Sequence, residues 1–211
     1  KSLKDSAEWM TSFRQLLGQN NDILRKLENK ELTIVIAPSF PHLALVKNSL
    51  AGLPNCFTAS QSVSSIEEGN FTGEVTAGAL KGLADYCLVG HSERRSKGET
   101  VQNVNEQLSH LLTAGIVPVL CIRSAEEFPQ GYGGVTAYEP PTAIASSHNA
   151  SLEQVLNVYG KLNLPAGSPY LYGGSVDEDT CKEYLAKEEI RGFIIGTASL
   201  EPEQFMNIAA S

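Results

Sequence analysis

The stretch YCLVGHSERR (86–95) runs from four apolar residues straight into a glycine, a histidine and three charges. A short continuous apolar run suits a strand buried on both faces, as in a parallel sheet covered by helices. Gly90 ends the run, so His91 stands at its carboxyl end. Ligands of parallel α/β sheets bind beyond the carboxyl ends of the strands. A histidine there is still more often a hydrogen-bonded structural residue than a catalyst. The rest of the chain has to weigh one reading against the other.

Similar runs lie at 33–37, 56–60, 116–122, 135–138, 170–172 and 192–195. Helical periodicity fills the intervals. Leu3, Met10, Phe13 and Leu17 share a face over 2–17, as do Val101, Val104, Leu108 and Leu111 further on. Shorter helices are expected at 180–187 and 201–209, with barely one turn at 124–128. Alternating strands and helices imply right-handed βαβ units and a single α/β domain over 1–211. Seven strands are visible, whereas a closed (β/α) barrel has eight. Either the sheet is open, or a first strand lies upstream of Lys1.

Composition narrows the function. The 211 residues are 42% hydrophobic and 19% charged, with a formal net charge of -8. No basic patch answers a polyanion, so a nucleic-acid partner is not expected. No apolar stretch reaches the length of a membrane span, and no secretory signal is visible, so a cytoplasmic protein without a membrane partner is expected. Cys56, Cys87, Cys121 and Cys181 form no C-x-x-C unit and read as reduced core residues, not metal ligands.

The polar residues after each run carry the chemistry. His91 to Arg94 follow one, Glu139 another, Gly173-Gly174-Ser175 a third and Gly196-Thr197-Ala198-Ser199 the last. Singly each is bland: a lone Glu is usually solvated, and Gly-Gly-Ser is usually a turn. Together, two late strand ends rich in Gly, Ser and Thr make a phosphate cradle. A His and a Glu converging beside it point to proton transfer on a small phosphorylated substrate.

These residues resemble a known family. GHSERR (90–95), AYEP (137–140), YGGSV (172–176) and GFIIGTASL (192–200) are similar to the signatures of the triosephosphate isomerase family, in its order. GNFTGEV (69–75) resembles its dimer loop, and LCI (120–122) its fifth strand. The resemblance implies a (β/α)8 TIM barrel and a homodimer. It implies interconversion of dihydroxyacetone phosphate and glyceraldehyde 3-phosphate in glycolysis and gluconeogenesis, without cofactor or metal. On this chain Glu139 would be the base, His91 the polarising group, held neutral by the helix beginning at Ser92, and Glu93 a supporting carboxylate. Ala145, Ser175, Gly196 and Thr197 would bind phosphate. Gln61, Thr72, Glu74 and Arg94 would meet the partner subunit.

Three departures sharpen the expectations. The family's first strand ends in an Asn and a catalytic Lys, whereas Lys1-Ser-Leu-Lys-Asp5 resembles the start of the helix after it. The expected explanation is a sequence that starts late. The loop after Glu139 usually reads Glu-Pro-Val-Trp-Ala-Ile-Gly-Thr-Gly; here it is EPPTAIASS (139–147), a lid expected to work with altered opening kinetics. His148 on that loop is expected to be solvated. The connection between strands 5 and 6 of the family is shortened here, and could leave apolar barrel surface bare for extra subunit contacts. The alternative function is a barrel that binds a phosphorylated ligand with impaired turnover. Another phosphosugar isomerase is a weaker alternative, because His91 and Glu139 both keep their family contexts.

Overall fold

A computed structural model describes residues 1–141 and 150–211. A capping box opens it: the Ser2 hydroxyl accepts from the Asp5 amide while the Asp5 carboxylate accepts from the Ser2 amide. Helix α1 (Leu3–Gln19) follows. The Asn20 side chain then caps α2 (Asn21–Glu28), a helix that the sequence reading does not separate from the connection. After these come β1 (Ile34–Ile36), α3 (Leu43–Leu50), β2 (Cys56–Ser60), α4 (Ala77–Leu80), β3 (Tyr86–Val89), α5 (Ser92–Arg95) and α6 (Val101–Ala114). The chain continues through β4 (Val117–Ile122), β5 (Val135–Tyr138), α7 (Leu152–Lys161), β6 (Tyr170–Tyr172), α8 (Glu178–Leu185) and α9 (Pro202–Ala210).

The six strands pair in chain order, all parallel, which is the curled sheet of a TIM barrel. Side chains alternate across it. Cys87, Val89, Leu120, Ile122, Tyr138 and Tyr172 face outward and pack with Val104 and Leu111 of α6 and Val155 of α7. Val119, Cys121 and Ala137 face inward with Tyr86, Leu88 and Leu171. Glu139, one residue past outward Tyr138, therefore has the inward parity.

The run at 192–195 is not the seventh strand expected. It makes a single bridge, Phe193 to Tyr172, with the Tyr172 amide donating to Gly192 and the Ile194 amide to Tyr172. Gly192, at φ +150°, lets the chain turn into the pairing just before that bridge. Among the described residues nothing pairs with its far side or with the free edge of β1, so the sheet does not close.

The first and last helices meet instead through side chains. Trp9 stacks on Phe13 at 5.5 Å, and Phe205 of α9 tilts against both. The Trp9 indole N–H also donates to the Ser199 carbonyl at 3.1 Å. Lys4 pairs with Glu8 on the exposed side of α1, so neither it nor Lys1 stands at a strand end. The β4–β5 connection has one 3₁₀ turn, Ala125–Glu127, where a helix of the layer would run. Phe128 and Tyr132 fold back on the outer core in its place, edge to face at 6.0 Å, and the Tyr132 hydroxyl donates to the Pro118 carbonyl. All four cysteines are free. Among the described residues no helix is long and apolar enough to cross a membrane.

Phe13 is fully buried between α1, α9 and the β1 side of the sheet. Phe13→Ala should cost about 3–5 kcal/mol of stability, read from urea unfolding, through lost transfer energy and the cavity left behind.

Candidate active site

Register brings the chemistry together. Ile122 of β4 pairs with Tyr138 of β5, and the Glu139 amide donates to the Ile122 carbonyl at 2.8 Å. The Gly173 amide in turn donates to the Tyr138 carbonyl at 2.8 Å. Glu139 is thereby fixed at the inner strand ends and is 2% exposed. A buried carboxylate must find donors. One Glu139 oxygen accepts from the Ser92 amide at 2.8 Å; the other accepts from the Ser92 hydroxyl at 3.1 Å and lies 3.0 Å from His91 Nε2.

The backbone sets the imidazole. Gly90 turns at φ +71°, and a side chain there would collide with the Arg95 guanidinium and the Cys121 carbonyl. His91 then caps α5, its Nδ1 accepting from the Glu93 amide at 3.4 Å. An Nδ1 that accepts leaves the proton on Nε2, the atom facing Glu139. The sequence reading has α5 disfavouring protonation of His91. The direction is the opposite: the hydrogen bond with Glu139 raises the imidazole above its ordinary value, burial opposes this, and the charges of Glu139, Glu93 and Glu99 add to the rise. A carboxylate at contact outweighs the end of a four-residue helix.

Other expected residues are placed as follows. Glu93 is exposed; its amide donates to His91 Nδ1 and its charge adds to the rise in the imidazole. Ser175 follows Gly173 and Gly174 beyond β6, and Gly196 and Thr197 open the 3₁₀ turn Thr197–Leu200 on the neighbouring run; all three are exposed. The Gly196 carbonyl accepts from both the amide and the hydroxyl of Ser199, which shapes that turn. Gln61, Thr72, Glu74 and Arg94 are all exposed. Arg94 donates to Glu99, and Gln61 to the Ala37 carbonyl. Ala145 and His148 lie outside the described residues.

The sequence reading misses several contributors. Ser92 supplies two of the bonds to Glu139, and only its place beside His91 hinted at this. Arg95 is buried, its Nε donating to the Gly90 carbonyl at 2.7 Å. Glu127 reaches Arg95 from the β4–β5 connection. Tyr172 accepts from the Ala150 amide at 3.0 Å, while Tyr184, stacked on it at 4.5 Å, donates to the Ala150 carbonyl. Gly173 also matters by what it lacks, since a Cβ there would stand 3.0 Å from the Glu139 side chain.

The sign of the His91 shift makes a test. Stabilisation from the pair is fully present below the ordinary 6.5 and is lost as pH rises through the higher folded value. In an NMR titration His91 should therefore titrate above its ordinary value in the parent and lower in Glu139→Gln, which removes the largest cause. An unchanged midpoint would mean that the two side chains are not paired in solution.

Comparison with known proteins gives a consistent result. The family model described as triosephosphate isomerase matches residues 6–132 and 130–211. A triosephosphate isomerase of Synechococcus sp. (strain RCC307) is 35% identical over 205 residues, covering 85% of this chain and 81% of that protein. One from Pseudoalteromonas translucida (strain TAC 125) is 33% identical over 236 residues, covering 96% and 93%.

Proposed function

This chain belongs to the triosephosphate isomerase family, whose enzymes interconvert dihydroxyacetone phosphate and D-glyceraldehyde 3-phosphate in glycolysis, and on that premise we propose how its residues perform the reaction. Glu139 is the base. It takes a proton from the hydroxyl-bearing carbon beside the substrate carbonyl, and the electrons of that C–H bond move towards the carbonyl oxygen. His91 Nε2–H bonds the oxygen as charge develops and passes protons between the two oxygens of the enediolate. Glu139 then returns its proton to the neighbouring carbon, so nothing is gained or lost. The contact that supports this reading above all is His91 Nε2 to Glu139 at 3.0 Å, inside the inner rim of the sheet.

That contact also has to be exchanged. A substrate carbonyl reaching Nε2 takes over its proton and frees one Glu139 oxygen to turn to carbon. As the carboxylate leaves, the main cause of the raised His91 value goes with it, and burial, which lowers it, remains. The working donor is then a neutral imidazole, matched more closely than an imidazolium to the enediol it serves. Ser175, Gly196 and Thr197 hold the phosphate, joined by Ala145, and the Glu93 amide keeps the imidazole tautomer. Closure over the site keeps water from the enediolate.

In a coupled isomerisation assay, Glu139→Gln should lose about 10²–10⁴ in kcat beside the parent. Equal activity would sink the assignment of Glu139, and phosphate-ligand binding by an inactive parent would favour a binding barrel instead.

We also propose a cytoplasmic homodimer. Gln61, Thr72, Glu74 and Arg94 lie on exposed surface with Phe71, an apolar side chain 49% exposed at the tip of its loop. Sedimentation should give a dimer for the parent and monomer for Phe71→Asp. A parent that stays monomeric at every concentration would refute this.

A further inference from the structure

The β4–β5 register that positions the base also sets a cation beside it. Ile122 and Tyr138 are partners, so Arg123 and Glu139 are the next residues out on adjacent strands. A second cation is buried at the turn before the histidine: the Arg95 side chain is 3% exposed and donates to the carbonyls of Gly90 and Cys121. A guanidinium charge next to a general base is a liability, because an opposite charge nearby stabilises the carboxylate and weakens it as a proton acceptor. Arg123 does feel Glu139, which contributes to holding its guanidinium above the ordinary value after the larger effect of Glu127.

Glu127 answers both cations. One of its oxygens accepts from Arg123 Nε at 2.9 Å and Nη2 at 2.5 Å. The other accepts from the Arg123 amide at 2.8 Å and lies 3.6 Å from Arg95 Nε. Its side chain is 14% exposed, against 42% for Arg123, so the carboxylate is the inner member and draws the guanidinium to itself. Burial alone would raise Glu127, but the Arg123 bonds and the charges of Arg95 and Arg123 hold it below the usual carboxylate range. The charged and titratable groups around Glu139 are His91, whose charge environment Glu93 and Glu99 share, Cys121 and Arg123, while Arg95 faces Cys121 and Glu127. Gly173 faces it from β6 without charge.

We propose that Glu127 is a positioning residue for the isomerisation: it clamps Arg123, steadies Arg95 at the Gly90 turn, and takes up the charge of Arg123 so that Glu139 stays basic. The short β4–β5 connection is what lets it do so, because a single 3₁₀ turn after β4 brings residue 127 back over residue 123. This rests on Glu139 being the base.

The experiment compares the parent with Glu127→Gln, Glu127→Asp and the double variant Glu127→Gln/Arg123→Ala in the coupled assay across pH, with thermal unfolding and a His91 NMR titration. Glu127→Gln should lower kcat about threefold to tenfold with KM nearly unchanged. The acidic limb of its kcat/KM profile should move down by about half a pH unit to one unit, and the His91 midpoint should fall with it. Glu127→Asp, which keeps the charge, and the double variant, which removes the surplus cation, should both bring the limb back. A Glu127→Gln enzyme that melts earlier yet keeps the parental limb would overturn the proposal, leaving Glu127 a structural residue. So would a limb that moves but is not restored in the double variant. An inactive parent would instead overturn the isomerase reading, and the His91 titration would still decide the effect of Glu127 on the pair.

Discussion

A carboxylate with almost no access to water needs donors, and the arrangement of this site follows from how Glu139 finds them. Three converge on it: the amide and hydroxyl of Ser92 and the Nε2 of His91. All come from His91 and Ser92, just past Gly90 at the end of β3, although Glu139 stands just past the end of β5, two strands away. The curl of the parallel sheet brings these ends within hydrogen-bond reach. Gly90 makes it possible locally, by turning the chain at positive φ where a side chain would strike Arg95.

Around this point the structure is built of shared supports. Arg95 ties the turn at Gly90 to the Cys121 carbonyl of β4. Tyr172 and Tyr184 stack and hold the amide and carbonyl of Ala150. Trp9 joins α1 to the Gly196–Ser199 turn, so the aromatic cluster with Phe13 and Phe205 steadies the candidate phosphate end as well as the first and last helices. A core residue far from the chemistry can thus reach the site through one hydrogen bond.

The same polar economy explains the histidine. A carboxylate at 3.0 Å raises His91, and the acceptor role of Nδ1 assigns its proton to Nε2. The property needed for chemistry, a neutral donor, belongs in the proposed reaction to the moment when the carboxylate has moved to carbon. Basicity and hydrogen-bonding role are therefore properties of the pair and change as the pair opens.

Strand positions were legible in the sequence because fully buried parallel strands leave short unbroken apolar runs; 56–60, 86–89, 135–138 and 170–172 match without a shift, and 116–122 begins one residue early. The residues beyond those runs were legible too, since a parallel sheet sends its chemistry to its carboxyl ends. The run at 192–195 misled, because a strand depends on neighbours on both sides and composition does not supply them. Helices α2, α3, α4 and α7 were passed over, their starts marked by single caps or by none rather than by long periodic faces. Only the tertiary structure decided which side chains answer Glu139, which way the His91 value moves and what Arg95 and Glu127 do. Those are contacts between residues distant in the chain, made by sheet curl and register, and no local pattern encodes a distance across strands.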